Sequence, residues 1–178
     1  VDRLRAAHLS ALSACPDGKA SLPVAGENGY DSGSKPEIAM SLQAVLAPLF
    51  VQVALTFALL IAMAMQRGKA LNSKQVRYQD IALRQPKWPE RATQIANAFH
   101  NQLEVPLLFY VLTILVLFTR QADLLFVLLA WVFVALRLMQ AYVHVTSNYV
   151  PRRGMLFGAG AIVLLAMWIA FALRIFLL

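Results

Sequence analysis

Between Leu42 and Met65 the chain runs for 24 residues without a charged side chain. At roughly 1.5 Å per residue such a run makes about 36 Å of helix, against a hydrocarbon core of about 30 Å, so it predicts a membrane-spanning helix. Three further stretches extend the pattern. One runs from Val105 to Thr119, with its helix reaching back through Ile95 into a polar segment. The next runs from Leu124 to about Val150 and contains Arg137. The last, Met155 to Leu173, is 19 residues without a charge, followed by Arg174, whose long stem lets its head reach the interface. Composition excludes the soluble alternatives: 60% of residues are hydrophobic and 14% charged, where a soluble domain carries about 25% charged residues. A single cysteine, Cys15, excludes a disulfide scaffold. The apolar runs are continuous rather than alternating, which favours helices over a barrel, and Pro48 and Pro106 lie near the beginnings of their spans, where a membrane helix tolerates them. The expected fold is an all-α, integral membrane four-helix bundle.

The net charge of +7 would point to nucleic acid in a soluble protein. Here its placement reads as topology. The first loop holds Arg67, Lys69, Lys74, Arg77, Arg84, Lys87 and Arg91; the second holds only Arg120; the last holds Arg152 and Arg153. Basic residues therefore mark the first and third loops as cytoplasmic and place the N-terminus outside. No basic motif interleaved with aromatics stands out, so no nucleic-acid partner is expected.

Residues 1–39 differ in composition from the rest of the chain, with four of the eight glycines, three of the eight prolines, five acids and four bases. They carry no sustained period and read as a disordered extension, 1–39, ahead of a membrane domain over 40–178. Leu12-Ser13-Ala14-Cys15 has the small-residue pattern that precedes a lipidated cysteine, but the apolar region before it is short and interrupted. Met40 immediately precedes the first span, and translation from there would leave 139 of the 178 residues, with the extension absent from the native protein.

Ionisable residues inside a span are costly against lipid and belong against protein, ligand or water. Glu104 and Arg137 are the first of these. On a continuous helix Asn97, Asn101 and Glu104 share one face, with Gln94 and His100 at its edges. In the third span Arg137, Gln140, His144 and Asn148 lie together, and Tyr142 and Tyr149 lie together on another side. Both sets approach the cytoplasmic end. Either Glu104 and Arg137 pair across helices with the amides as glue, or the group forms a ligand site. Such a site suits a small, multiply charged ligand, with arginines for carboxylates and Glu104 for an ammonium. His100 and His144 read as structural hydrogen-bonding residues rather than bases. Gly158 and Gly160 read as close-packing positions, and no metal or phosphate-loop spacing is present.

The run Arg91-Ala-Thr-Gln-Ile-Ala-Asn97-Ala-Phe-His-Asn101-Gln-Leu-Glu104-Val-Pro106-Leu-Leu-Phe resembles the second-helix signature of the MAPEG family, the membrane-associated proteins in eicosanoid and glutathione metabolism. Arg137-Leu-Met-Gln140-Ala-Tyr142, followed by Arg152-Arg153, resembles the family's third-helix and loop signature, and the resemblance covers roughly Met40 to Leu178. For a bacterial-type member it implies a homotrimer in the cell inner membrane, with glutathione as co-substrate held between protomers near the cytoplasmic face. Asn101 and Glu104 would hold the glutathione backbone, Tyr142 would contact it, and Arg152 or Arg153 would stabilise the thiolate; Asn97 and Arg137 complete the expected glutathione-binding set. The chain departs from the pattern at Asn97, where many relatives carry arginine, and at Leu138, where many carry tyrosine. The implied activity is glutathione transfer to lipophilic electrophiles or reduction of lipid hydroperoxides. The alternatives are a non-catalytic trimeric membrane or lipid-binding protein, and a small proton-coupled exporter of lipophilic cations built on Glu104.

Overall fold

A computed structural model describes residues 41–82 and 87–177. The extension over 1–39, its Cys15 pattern and Arg84 lie outside the described residues. Helix α1 spans Leu42–Asn72 and starts where the Ser41 side chain accepts a hydrogen bond from the Ala44 N–H. Ser at this position satisfies one of the free N–H groups of a helix start. After α1 come a short helix α2, Tyr78–Ile81, and then α3, Glu90–His100. Helices α4, Val105–Phe118, α5, Leu124–Val145, and α6, Val150–Leu177, complete the chain. Among the described residues every regular element is helical. Four spans are long and apolar enough to cross a membrane: Leu42–Asn72, Glu90–Phe118, Leu124–Val145 and Val150–Leu177. The integral membrane four-helix bundle expected from sequence is therefore the fold.

The second span departs from the expected continuous helix. It is α3 and α4 joined by a break over Asn101–Glu104, with Glu104 at φ −94°, ψ −98°. Pro106 is the cause: it lacks the N–H that would bond the Gln102 carbonyl, and its ring crowds that carbonyl. The backbone tightens instead, with Gln102 N–H donating to Phe99 O and Leu103 N–H to His100 O, each at 2.9 Å. Proline near the start of a span is tolerated here by ending one helix and opening the next. Two boundaries also shift. Helix α6 opens at Val150, so Arg152 and Arg153 lie in its first turn rather than in a loop, where Pro151 costs little because its missing N–H would have no helical partner. Helix α5 closes at Val145, and Asn148 beyond it takes a left-handed φ of 49° with its N–H donating to Val143 O at 2.8 Å.

The core lies where α1, α4, α5 and α6 meet, around Val45, Phe109, Leu112, Phe133, Val134 and Leu164. Phe109 and Phe133 stack with centroids 4.8 Å apart. Two buried amides fix the break in the second span to α1: Gln52 Nε2 donates to Gln102 Oε1 at 2.8 Å. One turn along α1, Thr56 Oγ1 donates to Gln52 O at 3.0 Å and lies 3.3 Å from the Tyr110 hydroxyl. Inside an apolar slab these bonds anchor the chain where its helical ladder is interrupted.

The two ends of the bundle differ. At one end Asp123 caps α5, accepting from the Phe126 N–H at 2.8 Å, and pairs with Arg174 near the end of α6. At the other end α3 closes over the end of α5. Arg91 Nη1 donates to Val145 O, and Gln94 Nε2 donates to His144 O at 2.7 Å. Those carbonyls have no partner within their own helix, so Gln94, expected at the edge of the polar stripe, bonds to the backbone.

Candidate functional site

At the end where α3 meets α5 and α6, an open cleft of about 510 Å³ is lined by Asn97, His100, Asn101, Glu104, Gln140, His144, Arg153, Gly154 and Phe157. Each wall comes from one element. Helix α3 and the break after it supply Asn97, His100, Asn101 and Glu104; α5 supplies Gln140 and His144; the first turns of α6 supply Arg153, Gly154 and Phe157. Because Pro106 ends the helical ladder, Glu104 projects from non-helical backbone and not from the regular stripe drawn on a helical wheel.

The α5 and α6 walls are joined through His144, which is buried. Its Nε2 lies 2.9 Å from Arg153 Nη1, and its Nδ1 lies 3.3 Å from Asn101 Nδ2. Arg153 Nη1 also donates to Asn148 Oδ1 at 2.6 Å, so the left-handed turn after α5 helps to aim the guanidinium. A single arginine thus ties the end of α5 to the start of α6.

Arg137 lies behind this wall with none of its surface exposed. Its Nη1 donates to Gln140 Oε1 at 2.8 Å, while Nε and Nη2 have no hydrogen-bond partner. The guanidinium sits over the rings of Phe133 and Phe157, 5.2 and 4.9 Å from their centroids. Ring faces attract a cation and replace part of the lost hydration. Gly160 packs closely against the guanidinium: a Cβ there would stand 3.4 Å from Arg137 Nη2. Among the described residues no hydrogen bond or ion pair joins Glu104 to Arg137.

Of the residues expected to build a site, the structure brings Asn97, Asn101, Glu104 and Arg153 to the cleft. Arg137 reaches it only through Gln140. Tyr142 is 71% exposed on another face of α5, and Arg152 stacks over the Tyr149 ring at 5.7 Å; neither lines the cleft. Phe157 and Gly154 are not legible as site residues in the sequence, because neither carries a polar group that would mark it. Gln140 and His144 share a polar face with Arg137 in the sequence, which is the signal that assigns them to the wall. Among the described residues no group of three or more His, Cys, Asp or Glu side chains could hold a metal ion.

Four apolar spans around a small core, with a polar cleft cut into one end and built from helix ends, define a polytopic membrane protein. A family model for the MAPEG family matches residues 45–173. The chain belongs to the MAPEG family, which includes glutathione transferases and peroxidases among its members. No curated protein and no solved structure matches it.

Proposed function

We propose that this protein binds glutathione in the cleft and uses its thiolate against lipophilic molecules arriving from the bilayer. The observation that carries this reading is a cleft that sets the Glu104 carboxylate and the Arg153 guanidinium on one polar surface within an otherwise apolar exterior. A membrane span tolerates such groups where ligand, water or a partner surrounds them. Glutathione carries an ammonium, two carboxylates, two amides and a thiol, and each finds a complement here. Glu104 takes the ammonium, Asn97 and Asn101 take backbone amides and carboxylates, and Arg153 faces the sulfur.

A free thiol has a pKa of about 8.5, so it is mostly protonated at neutral pH, and a guanidinium beside it favours the thiolate. The proton leaves to water. The thiolate then forms a carbon–sulfur bond with an electrophile, either displacing a leaving group that departs with its bonding pair or adding to an activated double bond whose other carbon takes a proton from water; in the peroxidase reaction two glutathiones give the disulfide while a hydroperoxide becomes an alcohol and water. Arg153 rather than Arg152 takes the thiolate role, because Arg152 stacks on Tyr149 outside the cleft wall. Arg137 supports the wall through Gln140, and Tyr142, on an exposed face, would reach glutathione held by an adjacent protomer of a homotrimer. The basic loop between α1 and α3 lies on the cytoplasmic side of the inner membrane, with the N-terminus outside.

The test is glutathione binding to detergent-purified protein with ultraviolet detection of thiolate near neutral pH. Arg153→Leu abolishes thiolate formation and Arg152→Leu leaves it unchanged. Absence of binding at millimolar glutathione would sink the proposal.

A further inference from the structure

His144 is the buried residue on which both sides of the cleft depend. Its two ring nitrogens face two different walls, Arg153 on α6 and Asn101 in the break before α4. A guanidinium can only donate, so Nε2 has to accept from Arg153 Nη1. A neutral imidazole with an accepting Nε2 carries its proton on Nδ1, which therefore donates. Asn101 Nδ2 is placed 3.3 Å from Nδ1, and two donors cannot bond one another; the two ends of an amide have the same shape, so hydrogen-bond logic turns the amide over and brings its oxygen to the ring. With Oδ1 turned inward to His144, the Asn101 NH2 is turned away from the ring and becomes available to the cleft. Arg153 thus sets the tautomer of His144, and the tautomer sets which end of Asn101 a ligand meets.

From this chain of donors and acceptors we infer that His144 is a positioning residue that makes the Arg153 and Asn101 walls donor-only, selecting a ligand that presents a thiolate to Arg153 and a carboxylate or peptide carbonyl to Asn101. The inference rests on the glutathione reading for the identity of the thiol, but not for the tautomer. It explains why this imidazole is buried among helix ends with no part in proton transfer. It also gives Asn101 a defined polarity, which a surface amide free to flip would lack.

Two near-isosteric substitutions separate the two roles. In His144→Gln the side-chain oxygen replaces Nε2 and still accepts from Arg153, while the link to Asn101 is lost. In His144→Asn the amide replaces Nδ1 and still donates to Asn101, while the acceptor for Arg153 is lost. Glutathione binding and the pH midpoint of thiolate formation are measured for both in detergent. The expected result for His144→Gln is an unchanged midpoint with affinity about tenfold weaker; for His144→Asn it is near-normal affinity with about tenfold less thiolate at neutral pH, the size of effect expected for one hydrogen bond to a charged or ligand-facing group. Equal effects of both variants on both readouts would mean a merely structural histidine and overturn the proposal. A nitrogen-15 NMR measurement of the histidines in the unliganded protein distinguishes failure here from failure of the glutathione reading. A neutral Nδ1–H tautomer at His144, perturbed by Arg153→Leu, upholds the arrangement even if glutathione does not bind. An Nε2–H tautomer overturns it even if glutathione does.

Discussion

Arg137 is the residue whose chemistry and surroundings are most at odds. It is a fully buried cation with two unpartnered donors, held by one amide, two ring faces and the space left by Gly160. Burying a charge without full hydrogen bonding is costly, and apolar replacements of similar size are often neutral or stabilising. Arg137→Met is therefore expected to hold or raise the thermal midpoint in detergent, whereas Arg137→Ala leaves a cavity and loses about 2 kcal/mol or more. Static light scattering during a thermal ramp measures both. At Gly160 the order follows the space available. Alanine fits if the guanidinium shifts by a few tenths of an ångström, and its better helix propensity offsets much of that strain; leucine drives Arg137 out of place at about 1–3 kcal/mol. The presence of Glu104 and Arg137 in spans is legible from sequence. That one is exposed at a cleft and the other sealed behind it is not, because a helical wheel carries no information about which neighbours surround a face.

At the scale of elements, the break between α3 and α4 does most to shape the cleft. Pro106 is visible in the sequence, but a proline near the start of a span is compatible with a kink, a cap or a full interruption. What selects the interruption is the buried pair Gln52 and Gln102, which gives the broken segment a partner on α1. Removing Gln52 leaves Gln102 Oε1 buried without its donor, although Gln102 Nε2 keeps its bond to Ala98 O, while removing both leaves an apolar contact. Gln52→Leu is thus expected to cost about 1–3 kcal/mol, and Gln52→Leu with Gln102→Leu to recover most of the loss. Unfolding by sodium dodecyl sulfate titration reads this cycle; an additive double variant would show that the two amides act independently. The opening of α6 at Val150 is a second element-scale result. Counting uncharged residues places the helix start after Arg152 and Arg153, yet arginine is a good helix former and Pro151 suits a first turn, so the helix absorbs both.

For the whole molecule, the end opposite the cleft is closed by Asp123 and Arg174, which join the start of α5 to the end of α6. Burial raises the Asp123 carboxyl, but the Arg174 guanidinium and the Phe126 N–H outweigh it and hold the group below its ordinary value of 3.8. A carboxyl depressed in the folded state stabilises fully above its unfolded pKa, and that contribution disappears as pH falls through the folded value. Asp123→Asn keeps the helix cap while losing the charge. The wild type is therefore expected to melt above this variant at neutral pH, with the gap closing below about pH 4. No gap at neutral pH would assign the stability to capping alone, since both chains keep the cap. Large apolar side chains cover the outside, among them Phe50, Phe57, Ile114, Phe118, Ile162 and Phe176, as expected of spans that meet lipid or other copies of the chain.

By itself the sequence determined the class of the molecule. Uncharged runs of membrane length admit only helices, since backbone groups in hydrocarbon must be satisfied within the segment, and the motif residues along those helices carry the family resemblance. Tertiary structure alone decided which polar residues share a space. Arg153, His144 and Asn101 meet because one helix breaks at Pro106, another ends at Val145 and a third begins at Val150. Pro106 and Pro151 mark two of those termini in the sequence, but which side chains meet across them is set by packing and hydrogen bonding between helices, which periodicity within a single helix cannot express.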